Sequence, residues 1–157
     1  MGEFNGKITA EFTPPKTWVL DKALSFESEK LNDKDIEILK LIGANVVDTG
    51  KGSGKITCKK GMKTDLASVP RAIWAFISPW DVARAAVIHD HLYSTLRQYW
   101  HTGVPFDKAV WKSARKLSDN IFLMGMKSAE PKVSSLKIYP AYWAVRAFGR
   151  WPASADD

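Results

Sequence analysis

The sequence predicts an α+β fold, a small N-terminal antiparallel sheet packed on a C-terminal bundle of about three helices. Three observations carry that expectation. Apolar residues alternate through the first third of the chain, they recur every three or four positions from residue 79 onward, and glycine and proline punctuate the elements. The 157 residues suit one domain spanning 1–157, in which 1–60 are mainly strands and turns and 61–150 carry a polar signature loop and the helices.

The elements follow in order. Gly6 to Phe12 places Ile8, Ala10 and Phe12 on one face of a strand that Pro14 and Pro15 interrupt. Thr17 to Phe26 reads as a second, irregular strand. Asn32 and Asp33 cap a short helix through Ile36, Leu39 and Ile42, and Gly43 ends it. Val46-Val47 and Ile56 to Cys58 flank a Gly/Ser/Lys turn at 50–54, which makes a hairpin. That turn lacks the Gly-Lys-Ser/Thr ending and following helix of a phosphate loop. Ser78-Pro79-Trp80-Asp81 is a helix start: a cap, a proline at the first helical position, and an acid three residues after the cap. Val82, Ala85, Ala86, His89, Leu92, Tyr93 and Leu96 then share one stripe. Gly103 and Pro105 separate this helix from a second, which runs antiparallel to it with Val110, Ala114, Leu117, Ile121 and Met124 on its apolar side. Ala129 to Pro131 stops it, and Tyr139 to Phe148 is a last amphipathic helix ended by Gly149.

Composition narrows the function classes. A chain 45% hydrophobic and 25% charged is neither disordered nor collagen-like. The single cysteine, Cys58, has no internal disulfide partner, and no Cys/His cluster has zinc spacing. The opening residues carry two acids and no apolar core, so no signal peptide is expected, and no apolar run is long enough for a transmembrane segment. Basic residues outnumber acidic ones by 9 to 5 over 61–128, against 10 to 9 and 4 to 3 in the flanks. The net charge of +6 is thus concentrated in the middle and favours anionic partners without choosing among them. Seven tryptophans are expected mostly as packing residues, although indoles also suit membrane interfaces.

Two stretches can carry chemistry. His89 lies on an apolar stripe, where its ring nitrogens need partners, with Tyr93 one turn on and Asp90 about 100° around the helix. A buried imidazole beside a carboxylate can act as a general base. It can equally be a satisfied core histidine, with Asp90 paired to Arg84 or Arg97. In the segment from Lys63 to Arg71, Ser68 and Pro70 read as a helix cap, while Asp65 has no local task beyond an Asx-type turn. Ser68, His89 and an aspartate would make a nucleophile, base and orienter, but no Gly-x-Ser-x-Gly elbow presents the serine. Asp119 shares its side of the helix with Lys112 and Arg115, so an ion pair with Arg115 is the plain alternative to a site role. Asp107 suits the start of that helix, and His91 and His101 are expected at the surface.

The segment Thr64-Asp65-Leu66-Ala67-Ser68-Val69-Pro70-Arg71, then Trp74 and Ala86 to Tyr93, resembles a phage-encoded family of unknown function, domain-of-unknown-function family 1353, with its TD-x-AS-x-PR loop and HD-x-LY helix. Ser118 to Met126 is similar to that family's AD-x-x-F helix, and Tyr142 to Gly149 to its terminal segment. The resemblance makes Thr64, Ser68, Pro70 and Arg71 signature positions. It implies a bacteriophage origin, with the host cytoplasm or the virion as location, and it supplies no activity. His89-Asp90-x-x-Tyr93 followed by Asp119-x-x-Phe122 also resembles the helix pair of small phospholipases A2. That likeness implies His89 as the base acting on water, Asp90 as a Ca2+ ligand, and Asp119 with Tyr93 as the orienting network. Asp65 would serve as a second calcium ligand in place of the glycine-rich loop, since residues 72–80 hold no glycine. The implied substrate is a phospholipid or another anionic ester. Two expectations result: a small His/Asp-centred ester hydrolase, or a non-catalytic virion-associated structural or binding protein whose partners are other phage particle proteins. Nucleic acid is not expected.

Overall fold

The structure, a computed structural model, describes residues 2–13, 17–50, 52–65, 69–74, 79–129 and 132–154, without the side chains of Thr13, Arg71, Trp74 and 79–81. The elements run β1 (Gly2–Phe4), β2 (Ala10–Thr13), β3 (Thr17–Leu20), β4 (Leu24–Ser28), α1 (Asp33–Leu41), β5 (Val46–Asp48), β6 (Gly54–Cys58) and β7 (Lys63–Thr64). The helices α2 (Arg71–Trp74), α3 (Pro79–Thr102), α4 (Lys108–Lys127), α5 (Ser135–Phe148) and α6 (Arg150–Ser154) follow. The α+β class is as expected. There are two antiparallel sheets, ordered β1-β4-β6-β5 and β2-β3-β7.

The strand expected over 17–26 is two strands in different sheets, because the chain turns a corner at Asp21 to Ala23. Leu20, Leu24 and Phe26 are all buried, and their even spacing stays in phase across the corner. Alternation therefore could not register the bend. Of the strand expected over 6–12 only Ala10 to Phe12 is strand, within β2; β1 lies ahead of it, and Gly6 stands between the two at φ 146°. Two other expectations hold closely. Asn32 and Asp35 form a capping box on α1, and the β5–β6 hairpin pairs Val46 with Ile56 around Gly50 and Gly52, both at positive φ.

α3 and α4 run antiparallel: Ala85 lies against Gly125, Tyr93 against Asp119, and Trp100 against Trp111. They separate two apolar cores. One packs the four-stranded sheet and α1 onto Val87, Ile88, Leu92 and Leu96 of α3 and onto Leu117 and Ile121 of α4. The other gathers Val82, Ala85, Phe122 and Met126 with Ile138, Ala141 and Val145 of α5. α4 is covered from several sides, so its buried arc is wider than the expected stripe and takes in Ser118, Asp119 and Phe122.

The last helix differs from expectation. α5 starts at Ser135 behind a Ser134 cap, four residues early, and α6 follows it. Nor is α5 simply amphipathic, because Leu136, Trp143 and Phe148 point outward while Ile138, Ala141 and Val145 are buried. Among the described tryptophan side chains Trp111 is buried and Trp18 and Trp100 are half-buried, as packing residues would be, while Trp143 and Trp151 are exposed. No helix among the described residues is long and apolar enough to cross a membrane.

At Gly125 the backbone of α4 packs closely on Ala85 of α3. A Cβ there would meet the Ala85 Cβ at 2.8 Å and the Phe4 ring at 3.3 Å. Gly125→Ala is expected to destabilise the protein by about 1–3 kcal/mol, read as a lowered urea midpoint with an unchanged slope.

Candidate functional site

The helix pair builds the site. α3 carries His89 and Tyr93 one turn apart, α4 brings Asp119 opposite them, and α5 supplies Arg146. His89 Nε2 lies 2.8 Å from Asp119 Oδ1, and the Tyr93 hydroxyl donates to the same oxygen at 2.6 Å. Arg146 donates to Asp119 Oδ2 at 2.8 Å. His89, Tyr93 and Asp119 are 0% exposed, whereas the Arg146 side chain is 26% exposed. The imidazole also packs on the rings of Tyr93 and Phe122, with centroids 4.1 and 4.8 Å away.

Burial alone would push the Asp119 carboxyl up. Hydrogen bonds from His89, Tyr93 and Arg146, together with the His89 charge, outweigh it and hold the group below the ordinary aspartate range. An ionised carboxylate only accepts, so His89 Nε2 carries the hydrogen and, in the neutral ring, Nδ1 bears the lone pair. Burial first, then the charge and hydrogen bond of Asp119, push the Tyr93 phenol well above its usual value, partly opposed by Arg115. The tyrosine is therefore a donor at any ordinary pH.

The structure places His89, Tyr93 and Asp119 in contact, and it adds partners of Asp119 that the sequence reading did not name. The pairing weighed for Asp119, an ion pair with Arg115, is not the one the structure makes. Arg115 instead donates to the carbonyls of Val145 at 3.2 Å and Arg146 at 2.5 Å, at the end of α5 where a cation complements the helix dipole. Arg146 is the missed partner. Gly149 is a second omission: a Cβ there would lie 2.3 Å from the Tyr93 hydroxyl, so only glycine leaves that group room to reach Asp119. The signal for both was the Tyr142 to Gly149 segment, which contains this arginine and glycine but names no task for them.

Asp90 turns to the other side. It is 5% exposed, and its Oδ2 accepts from Thr64 Oγ1 at 2.5 Å, which ties β7 to α3. Its charge, after burial, helps push the Cys58 thiol up to about 12. Asp65 follows Thr64 and is exposed. Ser68 lies outside the described residues, as does the Arg71 side chain, while Pro70 accepts from the Ile73 amide ahead of α2. Calcium takes six to eight oxygens. Among the described residues no three His, Cys, Asp or Glu side chains gather in a way that could hold a metal, so the described side chains do not by themselves make a calcium site. Asp107 caps α4 as expected, accepting from the Ala109 amide at 2.8 Å. His101 is exposed. His91 is not at the surface as expected: it is half-buried, its Nε2 accepts from the Asn45 amide at 3.4 Å, and burial lowers its pKa.

Asp119→Asn leaves Arg146 without its carboxylate and is expected to cost on the order of 3 kcal/mol, seen as a lower melting temperature. Because the folded carboxyl titrates below its unfolded value of about 4, its contribution is present at neutral pH and fades as pH falls through the folded value. A melting series between neutral and strongly acidic pH should therefore be flatter for the variant than for the parent. Gly149→Ala should displace the Tyr93 hydroxyl from Asp119 and cost about 1–3 kcal/mol in the same assay.

No curated protein and no solved structure matches the chain. A family model described as "Protein of unknown function (DUF1353)" matches residues 41–145. That segment contains Thr64, His89, Asp90, Tyr93 and Asp119 and stops one residue before Arg146. It covers most of the chain and the whole helix pair on which the site is built, and the chain therefore belongs to the DUF1353 family.

Proposed function

We propose that the chain is a small hydrolase in which His89, oriented by Asp119, Tyr93 and Arg146, acts as general base on a water that attacks an ester of an anionic substrate. The observation that supports this reading is the fixed tautomer. An imidazole held through Nε2–H on an ionised carboxylate offers Nδ1 to a proton, and the same carboxylate stabilises the imidazolium that forms. The proton of the attacking water passes to Nδ1, the oxygen adds to the ester carbonyl, and the leaving alkoxide takes the proton back. Arg146 keeps Asp119 ionised, so the proton stays on the ring between these steps. The resemblance to small phospholipases A2 points to a phospholipid as the ester and to Ca2+ near Asp90 and Asp65. The motif resemblance supports a phage origin, with action in the host cytoplasm or virion.

The complete burial of His89 favours a second reading, a non-catalytic particle protein whose network locks α3, α4 and α5 together. The hydrolase needs the cover over His89 to open to its substrate.

His89→Gln separates the two, because glutamine still donates to Asp119 but has no nitrogen that accepts a proton. Parent and variant are incubated with phosphatidylglycerol vesicles, with and without calcium, and released fatty acid is measured by mass spectrometry. The parent should release fatty acid, and the variant should be slower by about 10²–10⁴-fold while still melting cooperatively. No release by the parent, together with a large fall in the melting temperature of the variant, would leave the structural reading standing.

A further inference from the structure

α5 is apolar on two opposite faces. Ile138, Ala141 and Val145 are buried, while Leu136, Pro140, Trp143 and Ala147 recur on the other side at steps of four, three and four residues and are exposed. Leu136 is 87% exposed, Trp143 64%, and Trp151 in α6 80%. A helix that is apolar all round belongs in an interior or at a membrane, and a cluster of bare large apolar side chains marks an interaction site.

The charges beside this face indicate its occupant. Residues 132–154 contain Lys132, Lys137, Arg146 and Arg150 and no Asp or Glu. Next to them lies a cavity of about 480 Å³ lined by Lys108, Lys112, Arg115, Lys116, Arg146 and Arg150, with no carboxylate among the described residues of its wall. Of these six cations, Arg146 alone has a carboxylate partner among the described residues. Lys108, Lys112 and Lys116 repeat every four residues along α4, a spacing at which like charges repel. The Arg115 Nε–H is buried without an acceptor. A second copy of the chain related by a two-fold axis would bring these cations together, and a neutral protein surface would leave them uncompensated.

We propose that the outer face of α5 and α6, with the adjoining cationic cavity, binds an anionic phospholipid bilayer. Leu136, Trp143 and Trp151 enter the boundary between headgroups and acyl chains, where indoles are favoured, and the cavity receives a headgroup phosphate. As a route to substrate this surface rests on the hydrolase reading. As a binding surface it is measured without turnover, so the two fail separately.

The full chain is floated with vesicles of phosphatidylcholine, alone or mixed with phosphatidylglycerol, and tryptophan emission is recorded with lipids brominated on their acyl chains. Binding should require phosphatidylglycerol, weaken as salt is raised, shift the emission to the blue and show quenching. Trp143→Ser with Trp151→Ser, both at exposed positions, should lower partitioning by about tenfold or more at an unchanged melting temperature. Lys112→Gln with Lys116→Gln should weaken binding to the mixed vesicles. The proposal is overturned by absence of flotation at low salt, by equal binding to neutral vesicles, or by binding indifferent to the tryptophan pair. Dimerisation that Trp143→Ser abolishes, without vesicle binding, would assign the face to a second copy and overturn it as well.

Discussion

Moving the Asp119 carboxylate out of water costs several kcal/mol, and the chain offsets this with three donors drawn from two neighbouring helices. Two come from α3 and one from α5, so satisfying one side chain on α4 sets the positions of both flanking helices. The demand is geometric as well as energetic. Each oxygen has a named partner, and neither flanking helix can slide along its axis without uncovering a charge. Small residues complete the arrangement: Gly125 lets α3 approach, and Gly149 leaves space for the tyrosine hydroxyl at the end of α5.

The N-terminal part serves the same region from outside. The four-stranded sheet covers one side of the helix pair, and the Thr64 hydroxyl fastens the edge of the three-stranded sheet to Asp90. His89 and Asp90 are adjacent in sequence yet face different partners, one toward α4 and the other toward β7. Adjacent polar residues on a helix cannot share a direction, so this pair anchors both halves of the molecule at once.

Periodicity made α1, α3, α4 and the β5–β6 hairpin legible, because each carries an apolar stripe that is buried. It did not show how far the buried arc extends where an element meets several neighbours. α4 is covered on several sides, so Asp119 lay off the expected stripe and still became fully buried. The corner between β3 and β4 kept the alternation in phase and left no trace in the pattern. Of the site, His89 and Tyr93 could be named from their spacing, and Asp119 from resemblance alone. Arg146 and Gly149 could not, since their tasks exist only after α5 has folded back across α4. Thr64 was quoted as a signature residue, and its bond to Asp90 gives that position a physical reason.

Cys58 sits in the core with its thiol held protonated far above neutral pH. Thiolate is the form that alkylating reagents and peroxides attack, so the folded protein shields its single sulfhydryl from both. Exposure of that sulfur requires β6 to leave the four-stranded sheet. The pace of iodoacetamide modification therefore becomes an internal clock for opening of the domain, with no probe to be introduced.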